Sequence, residues 1–157
     1  MDQLDAGILA LFASHPRVGV LEASRRLGVA RGTVQARLDK LESAGVVRGW
    51  GPDVDPAALG YPVTAFVTLG IRQLRGHDPL AEQLARIAEV LEVHTITGSG
   101  DLQCRVVARS NADLQRVIDA IVEVDGVERT STVIALATLV AYRAQPLLTA
   151  STSGPGG

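Results

Sequence analysis

The stretch Thr97-Gly98-Ser99-Gly100-Asp101 carries residue types suited to holding a small zwitterion. Two glycines without side-chain obstruction expose successive backbone N–H groups to a carboxylate, and Asp101 beside them accepts from an ammonium group. An amino acid has both ends. The same residues are also ordinary turn formers in a hairpin, so their types alone leave two readings open. Selectivity for the ligand's side chain would come from apolar positions around the loop, for which Leu102, Val133, Ile134 and Ala135 are the candidates.

A second pattern suits nucleic acid. Val34, Leu38 and Leu41 fall at helical spacing, and advancing 100° per residue places Gly32 and Ala36 nearly opposite them, with Thr33, Gln35, Asp39 and Lys40 alongside. A solvated helix usually carries long polar side chains on that side. Glycine and alanine instead let the backbone come close to another surface, as a helix in a major groove must. Arg31, Arg37 and Lys40 flank the small crest where phosphates would lie, and Arg48 falls just beyond the helix. Thr33 and Gln35 carry the donors and acceptors for base edges. The plainer alternative is that these arginines are surface charges on a small helical domain.

Other chemistries find little support. His15, His77 and His94 are scattered over different elements, and no phosphate-binding glycine loop, Ser/His/Asp order or metal-ligand spacing is present. No catalytic or metal-binding residue and no cofactor is therefore expected. Cys104 is the single cysteine, which excludes an intrachain disulfide. No apolar run reaches the roughly 18 residues that span a bilayer, and Asp2 and Asp5 stand where a signal peptide carries positive charge, so a soluble, cytoplasmic protein with no membrane partner is expected. The net charge of the 157 residues is −2, yet residues 1–50 hold seven basic against five acidic side chains. The basic charge sits at the front, with the small-crested helix.

The elements that must position these residues follow from periodicity. Leu4, Ile8, Leu11 and Phe12 predict a helix over about 4–14, stopped by His15-Pro16; Val20, Ala23 and Leu27 predict a second, ending at Gly28. The third carries the crest and ends at Gly45, with Val46-Val47 opening a short strand and hairpin that hold Arg48. Two helices joined by a tight turn and followed by a hairpin make a winged helix-turn-helix. Ala30, at the start of the third helix, has no side-chain acceptor for a cap, which costs about 1 kcal/mol relative to serine.

Residues 51–62, rich in proline, glycine and aspartate, read as a linker between a domain at 1–50 and another at 63–143. In the second domain Val63 to Ile71 alternates as a strand. Leu80, Leu84, Ile87 and Leu91 mark a helix, Val93 to Thr97 and Leu102 to Arg109 a hairpin, Asn111 the cap of a helix striped by Leu114, Val117, Ile118 and Ile121, and Val127 to Tyr142 a long last strand. The order βαββαβ is the ferredoxin-like arrangement of an α+β domain, with both helices on one face of an antiparallel sheet. The other face would be bare, and a second copy of the chain is its simplest cover. From Ala144 the composition is that of a flexible tail, 144–157.

Taken together, these residues resemble the leucine-responsive/asparagine regulator (Lrp/AsnC, feast/famine) family from Asp2 to about Val140. Asp2-Gln3-Leu4-Asp5 with Ile8-Leu9 is similar to the family's opening LDxxDxxIL, and Val34 to Val47 to its VxxRxxxLExxGVI. Thr97 to Asp101 is similar to its TGxxD loop, and Gly126-Val127 with Thr130-Ser131-Thr132 to its GVxxTxT lead into the final strand. Ala30 departs from the serine usual at the start of the recognition helix. The resemblance implies a non-enzymatic transcription regulator that binds operator DNA as a homodimer or as tetramers, octamers or larger rings. Its second domain would be of the RAM type, with an amino-acid effector between subunits around residues 97–101. Some proteins resembling this family decarboxylate tetrapyrroles, for which His94 on a central strand is the only hint here; a third alternative is an architectural protein that coats DNA with little sequence preference.

Overall fold

The computed structural model describes residues 1–72 and 78–152. The chain forms two compact units, one of Met1–Pro52 together with the stretch that begins at Val140, the other of Asp53–Leu139.

The first unit starts with α1 (Gln3–Ser14), α2 (Val20–Leu27) and α3 (Arg31–Ser43). Asp2 caps α1 by accepting the Asp5 amide, while the Asp5 carboxylate accepts the Asp2 amide in return, so two amides that lack helical partners are both satisfied. α2 ends on Gly28, whose φ of 67° is left-handed and suits glycine. α3 begins after Ala30, which makes no side-chain cap, as its methyl group dictates. Ile8, Ala23, Val34 and Leu38 are buried at the centre, with Leu4, Leu11, Phe12 and Leu27 packed around them.

Beyond α3 two expectations are corrected. No strand forms at Val46-Val47, because both amides are spent on the Leu41 carbonyl, at 2.9 and 3.2 Å, and close the helix end. Gly49, Gly51 and Pro52 then offer no extended partner for a hairpin. The segment is held instead by Trp50, whose indole N–H donates to Glu42 Oε1 at 2.6 Å and whose ring meets Phe12 edge-on at 5.2 Å. The flexible tail expected from Ala144 is likewise replaced, as far as residue 152, by α6 (Pro146–Thr152), which packs against α1. Proline is tolerated at a first helical position, and Leu147 and Leu148 line one cavity with Leu9 and Ala13 of α1.

The second unit is one antiparallel sheet with the strand order β2-β3-β1-β4, built from β1 (Val63–Ile71), β2 (Val90–Thr95), β3 (Leu102–Ala108) and β4 (Val127–Ala135). α4 (Asp78–Ala85) follows β1 and α5 (Asn111–Val122) follows β3. Ala65, Val67, Leu69, Leu102, Cys104 and Val106 form one core with Leu80 and Leu84 of α4 and Leu114, Val117 and Ile121 of α5. Both helices therefore cover the same face, and the α+β ferredoxin-like arrangement is the observed one. Registered neighbours share a face, so Thr64, Phe66, Thr68, Gln103, Arg105 and Val133 lie on the other.

The boundaries differ from those the pattern predicts. α4 stops at Ala85; Leu91 belongs to β2, which starts at Val90 to pair with β3, and is 42% exposed. Ser110, not Asn111, caps α5, its hydroxyl accepting the Asp113 amide at 3.1 Å. β4 ends at Ala135 rather than near Tyr142, because its last rung is Thr64 opposite Ala135 and only Val63 of β1 lies beyond it. Leu136, Leu139 and Val140, next along the chain, are 99, 92 and 68% exposed.

Candidate DNA-reading helix and effector loop

In α3, the expected inward residues Val34, Leu38 and Leu41 are buried, and Arg31, Gly32, Thr33, Gln35, Ala36 and Lys40 are exposed. A β-carbon built on Gly32 would meet nothing within 4 Å, so that end of the crest is open to an approaching surface. Gln35 is less free than its type suggests. Its amide donates to Asp39 Oδ1 at 2.7 Å, one turn further along. Arg48 is exposed on the irregular segment after the helix.

Arg37, expected beside the crest as a phosphate contact, is bound to two carboxylates of the same unit. Its guanidinium Nη1 donates to Asp5 Oδ1 at 2.9 Å and to the Asp2 carboxylate, both at the start of α1. Asp5 is 2% exposed, the only buried charged residue among those described. The carboxyl of Asp2 is held below the usual carboxylate range by the Asp5 amide first and by Arg37 second. Motif spacing placed Arg37 on the correct helix; its partners came from 32 and 35 residues away.

The loop after β2 is tightly tied to the sheet. The Asp101 amide donates to the Leu69 carbonyl at 2.8 Å, its carbonyl accepts the Ile96 amide at 3.0 Å, and its carboxylate Oδ2 accepts the Ile71 amide at 2.8 Å. One carboxylate oxygen therefore has a structural task. Gly98 adopts φ 123°, while Gly100 is required by close approach, since a β-carbon there would sit 2.3 Å from Thr68 Cγ2. Thr97, Gly98, Ser99 and Asp101 are exposed.

Within one subunit the four apolar candidates do not gather around this loop. Leu102 is 3% exposed and belongs to the core under the helices. Val133, Ile134 and Ala135 pair with Phe66, Ala65 and Thr64, whereas the loop abuts Leu69 to Ile71. From Leu69 alone that is three to five residues along β1, roughly 10 to 17 Å at the usual strand rise. Ile134 also faces away from Val133 and Ala135, as strand alternation requires. The β4 residues level with the loop are Thr130, opposite Leu69, and Arg129, opposite Gly70. The Arg129 side chain crosses Gly70, its Cγ, Cδ and Nε within 2.5–3.1 Å of where a β-carbon would be. Arg129 escaped the sequence reading; the available signal was a glycine inside an otherwise regular strand, which often marks a close approach.

His94 lies on β2, an edge strand and not a central one; its side chain is 65% exposed, 3.5 Å from Glu92. His15 ends α1, and His77 lies outside the described residues. Among the described residues, no three His, Cys, Asp or Glu side chains gather as a metal site, and no helix is long and apolar enough to cross a membrane.

Comparison with known proteins assigns the two units separately. Residues 1–48 match the winged helix-turn-helix DNA-binding family, and residues 64–145 match the Lrp/AsnC ligand binding domain. The chain is 32% identical to the regulatory protein AsnC of Escherichia coli over 137 residues, covering 87% of this chain and 90% of that one. The solved structure of E. coli AsnC superimposes with a TM-score of 0.83 at 30% identity, covering 93% of this chain and 99% of that one. A feast or famine regulatory protein from M. tuberculosis, solved in complex with L-methionine, gives a TM-score of 0.80 at 28% identity, over 91% of this chain and 97% of that one.

Proposed function

The chain belongs to the Lrp/AsnC family of DNA-binding transcriptional regulators with a ligand-binding domain, and from that premise we propose that it reads operator DNA with α3 and answers to a free amino acid. The observation that carries the reading is the exposed Gly32 to Ala36 crest above buried Val34 and Leu38. Arg31 and Lys40 contact phosphates beside it, with Arg48 on the following segment, while Thr33 and Gln35 reach base edges once Gln35 leaves Asp39.

The methionine-bound relative supports an amino acid as the ligand class. In this chain the loop 97–101 supplies backbone N–H groups and the outer oxygen of Asp101, and Arg129 supplies a cation for the ligand carboxylate. Val133, Ile134 and Ala135 contribute to such a pocket only from a second subunit. The exposed run of Leu136, Leu139 and Val140 supports a second copy as its cover, in a homodimer or a larger assembly such as an octamer. The protein acts in the cytoplasm and catalyses no reaction.

Selecting duplexes from a random-sequence pool with the purified chain tests the DNA half, with competition by bulk random DNA at several salt concentrations to separate an operator reader from an architectural coat. A thermal-shift screen of the twenty amino acids tests the other half. Enrichment of no sequence, or stabilisation by no amino acid, overturns the corresponding half.

A further inference from the structure

Asp2, Asp5 and Arg37 form a closed set of bonds between the start of α1 and the middle of α3. Asp2 Oδ1 accepts the Asp5 amide at 2.9 Å, Asp5 Oδ2 accepts the Asp2 amide at 3.0 Å, and Arg37 Nη1 donates to Asp5 Oδ1 at 2.9 Å and to Asp2 Oδ2. Both oxygens of the buried Asp5 carboxylate are used. The Arg37 side chain is 31% exposed and leaves α3 between Ala36, on the crest, and Leu38, in the core.

Glu42, at the far end of α3, accepts the Trp50 indole N–H, whereas beside the crest the other attachments are apolar. Val34 and Leu38 pack on Ile8 and Ala23 through apolar contacts. Such contacts are non-directional, so they choose which face of the helix is buried and leave small rotations about its axis to be set by directional bonds. A guanidinium bound to two carboxylates is directional. Gly32 and Ala36 themselves have no long side chains to absorb an error of placement, so the approach of the crest to base edges depends on where the helix backbone lies.

We propose that Asp2, Asp5 and Arg37 are positioning residues, which set the rotation of α3 and so govern sequence discrimination through the placement of residues 32–36, without touching DNA. The inference rests on α3 being the reader. It separates cleanly from the alternative in which Arg37 meets a phosphate, because the two make opposite statements about Asp5. Removing a negative charge from a DNA-binding unit strengthens binding if only the field matters, and weakens specific binding if the carboxylate places the helix.

The test uses the full chain, a duplex enriched by the wild-type protein from a random pool, and a scrambled duplex. Asp5→Asn and Arg37→Gln are each expected to lower the ratio of the two affinities at least tenfold while leaving the salt dependence of binding unchanged. Arg37→Lys should fall with them, since one ammonium does not reproduce the guanidinium geometry although it would still serve a phosphate. Unchanged or tighter specific binding by Asp5→Asn overturns the proposal. So does a salt slope lowered by about 0.9, one phosphate contact, in Arg37→Gln but not in Arg37→Lys.

Hydrogen exchange provides a readout independent of DNA. The exposed Asp2 gives a milder variant, Asp2→Asn, which keeps the Asp5–Arg37 pair should Asp5→Asn fail to fold. Amides of Val34 to Leu41 should exchange faster in Asp2→Asn than in the wild type, with those of α2 unchanged; equal exchange along α3 overturns the proposal. Should the wild-type chain enrich no duplex, the reading of α3 as the reader fails, and the exchange comparison still decides whether the three residues lock the helix.

Discussion

Gly100 and Thr68 approach each other across the base of the effector loop so closely that a β-carbon on Gly100 would lie 2.3 Å from the Thr68 methyl and 3.1 Å from the Leu69 carbonyl oxygen. The second obstacle is backbone and cannot rotate away. Gly100→Ala is expected to destabilise the chain by about 1–3 kcal/mol, the usual cost of forcing atoms into a packed site. Chemical denaturation of Gly100→Ala and of the double variant Gly100→Ala/Thr68→Ser checks it. The double variant removes the methyl but not the carbonyl, and should recover only part of the loss.

Asp101 has two tasks, and substitutions should separate them. Its Oδ2 holds the Ile71 amide, so Asp101→Ala loses both stability and ligand, with a stability cost of about 1 kcal/mol for an exposed bond of this type. Asp101→Asn keeps an acceptor for Ile71 but not the charge. It should melt close to the wild type and show no thermal shift with the amino acid that stabilises the parent.

Arg129 is expected to matter to the ligand and little to the fold. It has no carboxylate partner among the ion pairs found in the described residues, and its stem merely crosses Gly70. Arg129→Gln should weaken amino-acid binding at least tenfold in calorimetry with a melting temperature within about two degrees of the parent. Undiminished binding would remove Arg129 from the site.

On α3 the open space around Gly32 makes a two-sided test. Gly32→Ala should stabilise the unit by up to about 0.5 kcal/mol, because alanine is the better helix former and meets no neighbour, although the first turn of a helix feels less of that preference than its interior. Gly32→Trp should leave the melting temperature near that of the parent and abolish specific DNA binding in an anisotropy titration.

Cys104 is buried between β1 and β2 in the core, where burial pushes its thiol up to about 11 from an ordinary 9. In the unfolded chain the thiol ionises first, so above pH 9 unfolding gains and stability falls until about pH 11, where the folded form ionises too. The stability difference between the parent and Cys104→Ala should shift in favour of the variant over that window. At pH 8 the folded chain should resist a thiol reagent that labels it at once in denaturant.

The sequence patterns carried the buried face of every described element that matters here. Val34, Leu38 and Leu41, the alternation along β1 and the stripe on α5 are read by counting, because a periodic apolar face has one place to go. The ends of elements were less legible. β4 could not be known to stop at Ala135 until β1 was seen to stop pairing at Thr64, and Val46-Val47 looked like a strand until their amides were found on Leu41. Strand limits are set by a partner, and the partner is distant in sequence.

The same division runs through the candidate sites. By itself the sequence determined which segments could carry chemistry: a helix with a small outward crest, and a loop of glycines ending in aspartate, since residue type and local spacing are sufficient for both. Only the tertiary structure decided what each side chain has left to offer. It gave Arg37 two carboxylate partners in Asp2 and Asp5, moved Val133 to Ala135 to the far end of the sheet, and brought Arg129 beside the loop. Charge pairing and strand register act between residues far apart in the chain, and no local pattern records them.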